Sequence, residues 1–138
     1  MFGGYIIHIL DRPLWGCDPQ INYQTVHFPE SNSNIYMSAR AWGLTGDHEE
    51  VRLCTEQINF CESFENNECI TFSTDKIFYR KENPNSLHIY AVSSRISKDQ
   101  SKRLGQISIV FDELKNYDQI NDLENNHEKR GIAMIAIP

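Results

Sequence analysis

The chain has 138 residues, a formal net charge of −6 and 40% hydrophobic residues. That is the length of one domain, enough to build a core without a metal or a disulfide. Seven Phe, six Tyr and two Trp exclude a disordered acidic chain, and the excess of acid argues against direct nucleic-acid binding, which needs clustered cations facing phosphate.

Gly4–Leu10 is short, β-branched and aromatic, and Asp11-Arg12-Pro13 ends it, so it reads as a strand. It is too short for a membrane span or a signal h-region and has no basic residues before it, which points to an intracellular, cytoplasmic protein. A loop follows over Leu14–Gln20. Ile21–Phe28 alternates with an apparent change of face near its middle, as a strand with a bulge would. Pro29–Asn34 is a turn cluster. Ile35–Trp42 and Glu50–Thr55 alternate cleanly around a connection holding Gly43 and Gly46, and together predict a hairpin.

Glu56–Glu68 has Phe60 and Phe64 four apart, the spacing of a helical turn or an ordered loop. Cys69–Ser73 and Lys76–Arg80 predict a second hairpin across Thr74-Asp75. Asn83-Pro84-Asn85 is a strong turn, and Leu87–Val92 and Gln106–Phe111 are further strands joined by a charged loop. Over Asp112–Arg130, Leu114, Tyr117, Ile120 and Leu123 recur every three residues, which allows one short helix near 112–124 or a mobile excursion, and Gly131–Ile137 closes the chain as a strand. About eight short strands with frequent turns predict one all-β domain over 1–138: an antiparallel sandwich or strongly curved sheet, shading to α+β through that helix.

Charge is sorted along the chain. Asp47, Glu49, Glu50, Glu56, Glu62, Glu65 and Glu68 stand against one base, Arg52. Residues 75–103 reverse the sign with seven bases and three acids. Six acids against Lys115 follow over Asp112–Glu128. Solubility alone favours interspersed signs; blocks of acid attract a basic partner over roughly a Debye length, about 8–10 Å. Trp42 and Tyr36 are candidate anchors beside the first block, since Trp and Tyr concentrate binding energy.

Catalytic and metal motifs are weak. Asp47-His48-Glu49-Glu50 lacks the paired histidines of a zinc helix, and neighbouring strand side chains diverge. Cys17, Cys54, Cys61 and Cys69 form no CxxC pair, and in a cytosol they are expected as free thiols. No metal or cofactor is expected. His27, His48 and His88 are the candidates if the chain is instead a small histidine-dependent hydrolase or ribonuclease. A third reading is a small-ligand-binding β domain whose concave face holds Trp15 and the tyrosines.

The short acidic chain, its many strands, its Asn and Ile content and the hairpin NIYMSARAWGLTGDHEEVRLC resemble in type the immunity proteins that bacteria carry beside polymorphic and contact-dependent growth-inhibition toxins. The resemblance implies a non-enzymatic inhibitor, a monomer that binds one cognate protein toxin, a basic nuclease for instance, and occludes its active site. On this reading Asp47, Glu49, Glu50, Glu56, Glu62, Glu65 and Glu68 pair with toxin cations, and Trp42 or Tyr36 supplies apolar contact.

Overall fold

Alternation decides the centre of the fold. In β2 (Ser33–Trp42), Ile35, Met37 and Ala39 share one face and are at most 1% exposed. In β3 (His48–Cys54), Val51 and Leu53 do the same, and the two strands pair antiparallel from Tyr36↔Cys54 to Trp42↔His48, as the hairpin pattern predicts. The computed structural model describes residues 20–42, 48–57, 69–92 and 103–138. The expected strand at Gly4–Leu10, the loop at Leu14–Gln20 apart from Gln20, the hairpin connection, most of the Glu56–Glu68 segment and residues 93–102 of the loop after Val92 lie outside them.

β1 (Ile21–Phe28) pairs with β2 residue for residue from Ile21↔Arg40 to Phe28↔Ser33, with no bulge. The apparent change of face has another cause. Asn22, Gln24, Val26 and Phe28 all lie on one face by the strand's period of two. Val26 and Phe28 enter the core, whereas Asn22 and Gln24 donate to the carbonyls of Ala136 and Met134 at 2.8 and 3.0 Å. Those carbonyls belong to β9 (Ala133–Ala136), the edge strand of the second sheet, so two inward amides cap an edge that would otherwise offer bare backbone.

Thr74-Asp75 does not close a hairpin. β4 (Cys69–Phe72) pairs with β3 in the first sheet, of order β1-β2-β3-β4. β5 (Lys76–Glu82) pairs with β6 (Ser86–Ala91) and with β9 in the second, of order β7-β8-β6-β5-β9. Thr74 is buried at this corner, its amide bonded to Phe72 and its hydroxyl to the Lys76 carbonyl. These bonds turn the chain from one layer into the other. The Asn83–Asn85 turn joins β5 to β6 as expected, with Asn83 at φ 58°, a left-handed value that Asn tolerates. β7 (Arg103–Leu104) and β8 (Ile107–Glu113) meet through Gly105-Gln106, and β8 lies parallel to β6, the one parallel pair among the described strands.

The inner faces form a two-layer core: Phe28, Ile35, Met37, Leu53, Ile70 and Phe72 from the first sheet meet Ile77, Leu87, Ile89, Leu104, Ile107 and Ile135 from the second. The described fold is mainly β, a sandwich of four and five strands with one helix. That helix, α1 (Tyr117–Asn126), starts later than its apolar pattern suggests because β8 runs on to Glu113. Asn116 caps it, its side chain accepting from the Gln119 amide at 3.0 Å. Of the four apolar positions only Leu123 is buried, against Phe78 and Ile132 on the outer face of the second sheet, while Tyr117 is 74% exposed. Lys76 ties the helix to β5 by reaching Glu124 at 2.9 Å, and the ion pair raises the Lys76 pKa.

Tyr79 links the layers: it is 9% exposed and donates to Gln24 Oε1. Burial raises its phenol pKa. In the unfolded chain a tyrosine ionises near pH ~10. Above that pH the unfolded state sheds a proton that the folded state keeps, so stability is intact below pH ~10 and falls as pH rises through the folded value. Urea midpoints measured from pH 8 to about 11 should decline less steeply for Tyr79→Phe than for the wild type. Equal slopes would show that this phenol has no part in alkaline unfolding.

Candidate functional site

Among the described acids expected to bind a partner, Glu49 and Glu50 do not share one surface. Glu49 and Glu50 are neighbours on β3 and therefore project to opposite faces. Glu50 is 8% exposed. Its carboxylate pairs with the Arg52 guanidinium and lies 3.5 Å from that of Arg40, and Arg52 itself is 4% exposed. This charge is spent inside the protein. Burial, ahead of the opposing pull of Glu50, lowers the Arg52 pKa, and Arg40 adds like-charge repulsion. Glu49 is half-buried and Glu56 exposed. Asp47, Glu62, Glu65 and Glu68 lie outside the described residues, as does the side chain of Trp42, whose backbone pairs with His48. Tyr36 is half-buried on the outer face of β2 and accepts from Asn34 Nδ2 at 3.3 Å.

The second acidic block is seen in full. Asp112 lies 2.7 Å from His88 Nε2, Asp122 lies 2.5 Å from Arg130 Nη1, and Glu124 holds Lys76. Glu113, Asp118 and Glu128 are exposed and make no ion pair within the described chain. Glu113 precedes α1, Asp118 lies in its first turn beside exposed Tyr117, and Glu128 follows its end. A cleft of about 380 Å³ separates the helix from the sheet, with Tyr90, Leu114 and Leu123 as its apolar lining and Glu113, Asp122 and Arg130 among its polar groups.

The histidines are not assembled into one centre. His27 Nδ1 meets Asn34 Oδ1 at 2.6 Å on the first sheet, His48 begins β3, and His88 sits on the second sheet. The His88 ring stacks on Tyr90 at 4.4 Å with 10° between planes. Its Nε2 faces Asp112, and its Nδ1 lies 3.1 Å from Glu82 Oε1, an ion-pair contact whose angle makes no hydrogen bond. The imidazole thus turns both nitrogens toward carboxylates of its own chain, and Nδ1 is buried. The bond from Arg80 at 2.5 Å, and then the nearby His88 ring, hold the Glu82 carboxyl below its ordinary range. A proton relay to substrate needs an accessible ring nitrogen, so this arrangement suits a sheet-surface clamp.

Cys54 and Cys69, expected as free thiols, are a disulfide. They are direct cross-strand partners at the end of the β3–β4 ladder with Cα atoms 4.2 Å apart, a geometry the one-dimensional spacing does not display. Cys17 and Cys61 lie outside the described residues. Among the described residues no three His, Cys, Asp or Glu side chains are grouped to hold a metal, and no helix is long and apolar enough to cross a membrane. No family model matches the chain, and comparison with curated proteins and with solved structures finds no match.

Proposed function

We infer that this protein is a non-catalytic binding protein that neutralises a basic partner protein, as an immunity protein neutralises its toxin. One observation carries the reading: Glu113, Asp118 and Glu128 stand exposed and outside any ion pair along the α1 segment, beside exposed Tyr117, and outnumber the exposed lysines there, Lys115 and Lys129. Carboxylates held in no ion pair beside an aromatic anchor attract and seat a cationic surface, and they act mainly on the rate of encounter. The interface on this reading is centred on α1; Glu50 is excluded by its internal ion pairs. The partner is a basic toxin, bound one to one, with no direct role for nucleic acid or membrane. The Cys54–Cys69 bond favours an oxidising compartment over the cytoplasm expected from sequence, because cytosolic thiols are kept reduced.

The test uses the partner recovered from the source cells on the immobilised chain. Reversing the three free acids (Glu113→Lys, Asp118→Lys, Glu128→Lys) should slow association about ten-fold or more at low salt and flatten its salt dependence. An on-rate indifferent to the reversal would remove α1 from the interface.

A further inference from the structure

At one end of the sandwich the turn joining β1 to β2 and the turn joining β7 to β8 line a cavity of about 330 Å³, with Tyr36 of β2 and Thr55 just beyond β3. That volume lies in the range of small-molecule sites, about 300–1,000 Å³. Its lining carries no charged residue. Asn32, Thr55 and Gln106 contribute amides and a hydroxyl, Tyr36 a phenol, and Leu104 an apolar wall.

Two features make this lining suited to a ligand. First, the side chains of Asn32, Thr55 and Gln106 make no hydrogen bond to the described protein, so their donors and acceptors are uncommitted. Second, Asn34 and Tyr36 are pre-oriented. His27 Nδ1 donates to Asn34 Oδ1 at 2.6 Å, and Asn34 Nδ2 donates to the Tyr36 hydroxyl at 3.3 Å. Tyr36 therefore accepts from the protein and keeps its own O–H to donate. Neutral hydrogen-bonding groups beside a phenol ring match a molecule that is itself uncharged, rich in hydroxyls and faced with C–H groups. Vicinal hydroxyls pair with the adjacent donor and acceptor of a carboxamide, and an aromatic ring packs against C–H bonds. The lining itself offers an ion no charged partner.

We propose that this cavity binds a neutral sugar ring, free or at the end of a glycan. The site is separate from the α1 surface and stands whatever partner that surface takes.

Backbone amide spectra of the whole chain are recorded while glucose, galactose, mannose and N-acetylglucosamine are added up to about 100 mM, the weak range of single-ring affinities. A glycan array covers rings presented on larger molecules, and each array ligand is then checked by the same spectra. The expected result is saturable shifts of Asn32, Asn34, Tyr36, Thr55 and Gln106 with at least one neutral sugar. Binding should weaken about five-fold in Tyr36→Phe and in Thr55→Val, each of which removes one hydroxyl and keeps the volume. A response to monosaccharides identifies a free sugar; a response to array ligands alone identifies a glycan. No saturable shift from either source, shifts centred elsewhere, or variants that bind like the wild type would each overturn the proposal.

Discussion

Reduction of the Cys54–Cys69 bond should lower the stability of this protein by about 3 kcal/mol, the loop-entropy value for a closure of roughly fifteen residues. The bond joins residues 15 apart in sequence and closes the acid-rich segment between β3 and β4. β4 has only four residues and pairs within its sheet with β3 alone. Its Ile70 and Phe72 side chains, each 2% exposed, are part of the main core. Without the tether the chain must find this short edge strand across an open loop, and the unfolded ensemble regains the entropy that the bond removes. For a domain of this size the loss corresponds to a Tm about 10 °C lower. Calorimetry of the oxidised protein, the reduced protein and the Cys54→Ala/Cys69→Ala variant checks it. The last two should agree with each other and fall well below the first; three coincident transitions would mean that β4 is held by packing alone.

Glu50→Leu should destabilise by about 3–5 kcal/mol, the cost of breaking a buried ion pair from one side. The two guanidiniums of Arg40 and Arg52 face this carboxylate, and Arg52 is 4% exposed. Removing it leaves like charges adjacent in a desolvated place. Adding Arg52→Met should recover part of the loss, because replacing both members by apolar groups avoids the stranded charge. Glu56→Leu, at an exposed position, should stay within about 0.5 kcal/mol. Urea denaturation of the four proteins separates the cases. If Glu50→Leu behaves like Glu56→Leu, the pair is not a structural element, and Glu50 returns as a candidate for contact with a partner.

The elements were legible where pattern and punctuation agree. Ile35, Met37 and Ala39 facing Val51 and Leu53 gave the β2–β3 hairpin, and Asn83-Pro84-Asn85 gave the β5–β6 turn. Thr74-Asp75 misled because a tight hairpin and a corner between layers use the same local chemistry; which one forms depends on whether Phe72 and Ile77 pair or pack, a tertiary matter. Asn22 and Gln24 imitated a bulge because polar residues on an inward face are unusual until the β9 edge they cap is known. The parallel placement of β8 beside β6 left no local trace.

Less of the candidate site was legible. Charge sorting gave the acids but not their directions: Glu49 and Glu50 differ by one residue and by a whole face. Cys54 and Cys69 read as free thiols because their strand register, not their spacing, brings them together. The cavity beside Tyr36 draws on residues near 32, 55 and 106, which no sequence window contains.

The most direct test of the proposed function is neutralisation in living cells. The partner recovered on the immobilised chain is expressed alone, with the wild-type chain, and with the variant reversed at Glu113, Asp118 and Glu128. The account predicts growth arrest by the partner alone, relief by the wild type and none by the variant. A harmless partner, or equal relief by both forms, would contradict it.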